Sequence, residues 1–137
     1  CLEIEPCEDL LLVKVDAKLI VQVVVNLVNN AVTHTQTGST IRVSTRSRGS
    51  EAIVRVEDDG PGIKDSDKAH VFESFYTVGR TLEDSKRSVG LGLSLCKSIV
   101  EAHGGSIVVK DAVPHGCAFE FALPRYELTE GASEDAD

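Results

Sequence analysis

The spacing of apolar residues changes period near residue 40, and that change decides what the chain can fold into. Over residues 18–34 the positions Leu19, Val23, Leu27 and Ala31 recur every four residues, the stripe of an α-helix. Val24, Val25 and Val28 widen the stripe, so this helix is expected to be heavily buried. Residues 40–46 then alternate Ile41, Val43 and Thr45 with polar neighbours, and residues 52–58 alternate in the same way. The Arg48-Gly49-Ser50 turn joins them, which reads as a hairpin.

The remaining segments fit the same frame. Residues 10–15 suit a short strand, and Asp16 offers an N-cap to the helix that follows. Gly60-Pro61-Gly62 stops the second hairpin strand. Residues 64–72 read as a short helix and residues 77–89 as a long mobile loop with few apolar side chains. Residues 91–103 form another helix, with Leu91, Leu95, Ile99 and Ala102 on one side and Gly104-Gly105 at its end. Residues 106–110 and 117–123 are two further strands around Pro114-His115-Gly116, and Pro124 closes the ordered part. The expected architecture is an α+β two-layer sandwich: a mixed, mostly antiparallel sheet with helices on one face.

Length and charge narrow the possibilities. The chain has 137 residues, enough for one domain and too few for two ordinary ones. Residues 1–126 are expected to form that domain. Of the 22 acids, five (Glu127, Glu130, Glu134, Asp135 and Asp137) lie in residues 127–137, which contain no base. The net charge of −8 therefore becomes −3 without them, 17 acids against 14 bases. A nearly balanced domain carries an acidic tail expected to be disordered. This charge disfavours nucleic-acid binding. No apolar run reaches the roughly 18–20 residues that cross a bilayer, and the acidic opening residues 1–5 are not expected to belong to a signal peptide. The absence of methionine suggests a piece of a longer protein, which could itself be membrane-anchored. Cys1, Cys7, Cys96 and Cys117 have no metal-type spacing; Cys96 and Cys117 are expected to be reduced, buried thiols.

Three features carry chemistry. Asn26 and Asn30 lie four apart and share a face of an otherwise apolar helix, where a neutral amide oxygen suits Mg²⁺. Asp58 ends a strand ahead of Asp59-Gly60-Pro61-Gly62; its carboxylate can accept from an exocyclic amine such as adenine's, and glycines let a flat base approach the backbone. Gly90-Leu91-Gly92-Leu93 opens the last helix, where free N–H groups and the dipole favour phosphate. Arg80, Lys86 and Arg87 precede it and could neutralise phosphate charge. Neither a Walker loop nor a Rossmann fingerprint is present. Taken singly, each feature also fits an ordinary surface amide pair, turn or solvated loop.

In their order, the pieces resemble the ATP-binding catalytic domain of sensor histidine kinases, the Bergerat fold shared with gyrase-type ATPases. Residues 26–31 look like the N box, 58–63 the first glycine box, 71–76 the F box and 90–94 the second glycine box. His103-Gly104-Gly105-Ser106-Ile107 and Phe119-Glu120-Phe121-Ala122-Leu123-Pro124 look like the family's C-terminal pattern. The resemblance covers residues 10–124, and residues 75–99 most resemble the potassium-responsive, KdpD-type sensor kinases. It implies a cytoplasmic domain that binds ATP and Mg²⁺. Asn30 would be the metal ligand and Asn26 would contact phosphate or metal-bound water. Asp58 would recognise adenine, with Gly60, Gly62, Ile63 and Tyr76 in the nucleotide pocket. Residues 77–89 would be the ATP lid, and Gly90, Leu91, Gly92 and Leu93 would cradle phosphates with Arg80, Lys86 and Arg87.

Three positions depart from the family's habit: Thr33 and Thr77 stand where a basic residue is common, and Cys117 where Ser or Thr is. The related ATPases carry a glutamate base four residues before the metal asparagine; here Asn26 occupies that place and cannot take a proton. This favours phosphoryl transfer over hydrolysis. None of His34, His70, His103 and His115 sits in the setting of a phospho-acceptor. The expected partners are a separate dimerisation domain carrying that histidine and a response regulator, with no membrane contact by this fragment. The alternatives are a degenerate module that regulates by contact and an anti-sigma-type serine kinase of the same superfamily.

Overall fold

The computed structural model describes residues 1–5, 13–33, 35–73 and 92–126. In chain order they form β1 (Leu2–Glu5), α1 (Ala17–Thr33), β2 (Ile41–Arg48), β3 (Glu51–Asp58), α2 (Asp65–Lys68), α3 (Gly92–Ala102), β4 (Ser106–Asp111) and β5 (Cys117–Pro124). The five strands make one sheet in the order β1-β2-β3-β5-β4. Only β1–β2 is parallel; the other three pairings are antiparallel. α1 lies over β2 and β3, α3 over β4 and β5, and the two helices pack on each other. This is the mixed sheet with helices on one face that the periodicities predict.

Pleat alternation sets the core. Cys117, Phe119, Phe121 and Leu123 of β5 point towards the helices, where they meet Val23 and Leu27 of α1 and Cys96 and Val100 of α3. Phe121, Val23 and Leu27 are fully buried. On the other face Glu120 of β5 is also buried, held by Arg55 Nη1 at 2.6 Å, Lys110 Nζ at 3.0 Å and Arg46 Nη2 at 3.5 Å. A buried carboxylate needs such partners.

Several elements differ from expectation. Residues 13–15 are not a strand; Val13 and Val15 pack against the core edge, and residues 10–12 lie outside the described set. The strand is Leu2–Glu5, because the free edge of β2 offers it a backbone partner and Arg42 pairs with Glu3 and Glu5. α1 is less buried than its valines suggest: Val23, Leu27 and Ala31 are enclosed, but Leu19 and Val25 are exposed. A two-layer fold covers a helix on one side only. On α3 the enclosed side is Cys96, Ile99 and Val100, and Leu95 faces solvent. The short helix stops at Lys68; residues 69–73 turn so that the consecutive Val71 and Phe72 both reach the core, Phe72 edge-on to Phe119 at 5.9 Å.

α3 ends as Gly104-Gly105 predicts. The Gly105 N–H reaches the Val100 carbonyl and the Gly104 N–H the Glu101 carbonyl, both at 3.0 Å, with Gly104 at φ 81°. That is a Schellman cap. A Cβ on Gly105 would overlap the Ala122 carbonyl oxygen, so the chain passes into β4 through a gap only glycine fits.

Candidate functional site

β3 delivers Asp58 to the helix side of the sheet, where it is 8 % exposed. Its Oδ1 accepts the Gly60 N–H at 2.9 Å, closing the turn that follows. Its neighbour Asp59 does a different job. Asp59 Oδ1 accepts the Thr40 N–H at 2.9 Å, pinning the turn to the start of β2. The two adjacent carboxylates are thus separated, one towards the interior and one towards the rim.

The β4–β5 loop seats against this turn. A Cβ on Gly116, at φ 114°, would overlap the Asp58 carbonyl oxygen, and one on Gly62 would stand 3.2 Å from the Gly116 oxygen. His115 Nδ1 donates to the Gly60 carbonyl at 3.0 Å. Cys117 stands opposite Asp58 in the β3–β5 register. Burial, with the Asp58 charge adding to it, pushes its thiol up to about 12. Sequence reasoning placed Pro114-His115-Gly116 only as a turn; its approach to the first glycine turn follows from the sheet order, which no local pattern states.

α1 and α3 run antiparallel. His103 Nε2 accepts the Asp16 N–H at 3.1 Å, and Cys96 Sγ lies 3.7 Å from the Val23 carbonyl. Seven residues forward on α1 thus match seven back on α3. The same progression sets Asn26 nearest Leu93, close to Cys96, and Asn30 just past the N-terminal end of α3. Asn26 and Asn30 are both half-buried. The antiparallel pairing also sets Gly92 at the end of α3 away from the Gly104-Gly105 cap.

Ile63 and Leu93 are partly buried against the core. Gly92 begins α3 and is exposed, while Gly60 and Gly62 are half-buried. Tyr76, Arg80, Lys86, Arg87, Gly90 and Leu91, with His34, Thr77, the lid segment 77–89 and the tail, lie outside the described residues. Thr33 folds back: its hydroxyl donates to the Asn29 carbonyl at 2.9 Å. The donor chemistry fits Mg²⁺ held chiefly by phosphates. Half-buried amide oxygens are hard, neutral ligands, and the described residues contain no group of three or more His, Cys, Asp or Glu side chains of the kind that would cage a metal unaided.

Residues 15–127 match the family described as histidine kinase-, DNA gyrase B- and HSP90-like ATPases. The sensor protein KdpD of Clostridium acetobutylicum is 40 % identical over 118 residues, covering 86 % of this chain and 13 % of that protein. The structure of the mycobacterial sensor histidine kinase MprB superposes with a TM-score of 0.78 at 28 % identity, covering 93 % of this chain and 86 % of that one. Histidine kinase ThkA, solved in complex with the response regulator TrrA, gives a TM-score of 0.73 at 31 % identity over 91 % of this chain and 34 % of that one. The chain thus spans a small fraction of its curated relative's length.

Proposed function

Because the chain belongs to the histidine kinase-, DNA gyrase B- and HSP90-like ATPase family, we propose that it is the ATP·Mg²⁺-binding catalytic domain of a two-component sensor kinase, and that it supplies the γ-phosphoryl group to a histidine on a separate dimerisation domain. The observation that carries this reading is the buried Asp58 carboxylate at the end of β3, in a turn on which Gly62 and Gly116 let the β4–β5 loop pack closely. An exocyclic amine such as adenine's can donate to that carboxylate.

The other residues take roles around that point. Asn30 holds the metal and Asn26 its water or a phosphate. Ile63 and Tyr76 enclose the base. Gly90, Leu91, Gly92 and Leu93 present backbone donors at the helix N-terminus, and Arg80, Lys86 and Arg87 offset phosphate charge. Mg²⁺ would neutralise the charge that develops on the phosphates. The chain's own part is binding and orientation. Asn26 has no usable basicity, so water attack gets no help from it, and transfer to an acceptor on another domain is favoured over hydrolysis.

Residues 1–126 form the domain in this reading, with 127–137 as an acidic tail. The partners are the dimerisation domain and a response regulator; nucleic acid and the membrane are not. Among the described residues no helix is long and apolar enough to cross a membrane. We place the fragment in the cytoplasm with any anchor elsewhere in the full protein.

Incubation with γ-labelled ATP, alone and with the dimerisation domain, tests the transfer. Label on the acceptor domain only is the expected result; label on the isolated chain would overturn the claim that the acceptor lies elsewhere. A second reading, a degenerate module acting by contact, is favoured by Thr33, whose hydroxyl proton is committed to the helix. Absence of heat and of a melting shift with ADP·Mg²⁺ would favour that module.

A further inference from the structure

The β4–β5 loop holds residues 58–68 at two separate points. At one, Lys68 ties α2 to the loop: its Nζ stands 2.7 Å from both Asp65 Oδ1 and Asp111 Oδ1, with its side chain largely covered. At the other, His115 Nδ1 donates to the Gly60 carbonyl at 3.0 Å. A carbonyl oxygen only accepts, so Nδ1 must carry a hydrogen, which in the neutral ring leaves Nε2 bare. The Ala112 N–H closes the loop on the Gly116 carbonyl at 3.0 Å, and Gly116 is seated against the Asp58 carbonyl with no room for a Cβ. The imidazole therefore projects from a fixed seat.

Gly60 is the joint between that seat and the carboxylate. Its N–H goes to Asp58 Oδ1 at 2.9 Å and its carbonyl goes to His115, 55 positions on. A glycine has more backbone freedom than any other residue, so a hold on its carbonyl matters for where its N–H points. If Gly60 turned, its N–H would leave Oδ1, and the Asp58 side chain would lose the bond that sets its rotation. Hydrogen bonds weaken steeply with misalignment, so a rotated carboxylate recognises an amine poorly.

We propose that His115 is a positioning residue for base recognition: through Gly60 it fixes the Asp58 carboxylate, and so sets how strongly the site prefers a purine bearing an exocyclic amine to one bearing a carbonyl oxygen in that place. A site built to bond a ligand N–H rejects the analogue that lacks it, and the rejection depends on the acceptor being held. The proposal rests on the nucleotide-binding reading above.

The test compares the affinities for ADP and inosine diphosphate (IDP) by calorimetry at saturating Mg²⁺. IDP carries a carbonyl oxygen where ADP carries the amine, so the ratio isolates the Asp58 contact and cancels any general loss of phosphate binding. His115→Leu removes the donor and should lower the ratio roughly three- to tenfold, by weakening ADP and leaving IDP unchanged. Asparagine carries its NH₂ where histidine carries Nδ1, so His115→Asn should restore the ratio. An unchanged ratio in His115→Leu, equal losses of ADP and IDP, or no rescue by His115→Asn overturns the proposal and leaves the nucleotide reading standing. A wild-type chain that binds neither nucleotide refutes the nucleotide reading itself, and the proposal with it. Should His115→Leu not fold, nitrogen NMR of the wild-type imidazole at pH 8 decides the matter. Hydrogen on Nδ1 is expected, and hydrogen on Nε2 alone overturns the contact.

Discussion

His103 Nε2 accepts the backbone N–H of Asp16 at 3.1 Å, fastening the C-terminal end of α3 to the N-terminal end of α1. Because an N–H can only donate, Nε2 must be unprotonated. The other ring nitrogen, Nδ1, faces the Ile99 carbonyl at 2.8 Å and must carry the hydrogen. One imidazole thus serves a helix end on each side, and it sets the antiparallel register that brings Val23 to Cys96.

His103→Leu should cost about 1–2 kcal/mol, the usual worth of hydrogen bonds whose partners are left behind. Asp16→Ala should cost about 1 kcal/mol, because Asp16 Oδ1 caps α1 through the Lys18 and Leu19 N–H groups at 3.0 and 3.3 Å. Thermal melting of each variant checks both. A His103→Leu chain that melts with the wild type would show that the ring is ornamental to packing.

The seat of the β4–β5 loop gives a sharper pair. Gly116→Ala forces a side chain into the Asp58 carbonyl at a left-handed φ, and should cost at least about 2 kcal/mol of stability together with ADP affinity. Asp58→Asn keeps the shape and the acceptor for Gly60 but loses the charge. It should weaken ADP binding about 10- to 100-fold, roughly 1.4–2.8 kcal/mol, with little change in melting. Calorimetry beside melting curves separates the two variants; equal ADP binding by Asp58→Asn and wild type would remove Asp58 from the site.

Glu120 makes stability depend on pH in the acid range. Burial works against its charge, but hydrogen bonds from Lys110 and Arg55 and the nearby charges outweigh it, and its pKa lies below the ordinary value. A lowered folded pKa means stability that is complete above the unfolded value, about 4.3, and lost as pH falls through the folded one. Glu120→Gln should lose about 1–2 kcal/mol at pH 7, a figure kept small because its Arg46 and Lys110 partners are half-exposed. At pH 3 the deficit should shrink. Urea midpoints at both pH values test this, and an identical deficit at both would exclude the charge as the cause.

The two buried thiols act at the other end of the scale. Folding raises Cys96 to about 11 and Cys117 to about 12, so both stay protonated at neutral pH. A raised folded pKa means stability present below the unfolded thiol value, about 8.5, and lost as pH rises towards the folded ones. Cys117→Val should therefore flatten the decline in stability above pH 9. Peptide mapping after iodoacetamide at pH 8 should find Cys1, which is exposed, alkylated and Cys96 and Cys117 intact. Ready labelling of Cys117 in the native chain would contradict this.

Much of the fold could be read along the chain. The Asp16 cap, the β2–β3 hairpin, the Gly104-Gly105 ending and the burial of Cys96 and Cys117 all follow from local pattern, since each depends on residues a few positions apart. The strand at Leu2–Glu5 did not, because an edge strand exists by pairing with β2, some 39 residues on. The exposed faces of Leu19, Val25 and Leu95 did not either, because a stripe of apolar residues says that a helix is amphipathic but not how far its neighbours reach around it.

The division is the same at the site. Residue identities alone named Asn26, Asn30, Asp58, Gly60 and Gly62 as candidates, because amide oxygens, a strand-end carboxylate and side-chain-free turns have chemistry that holds wherever they stand. Only the folded arrangement set Gly116 and His115 against that turn, placed Cys117 opposite Asp58, and put a buried sulfur beside Asn26. These contacts join residues 54 to 70 positions apart. They arise where a sheet places β5 next to β3 and where two helices lie antiparallel, and a chain's local periodicity carries no term for either.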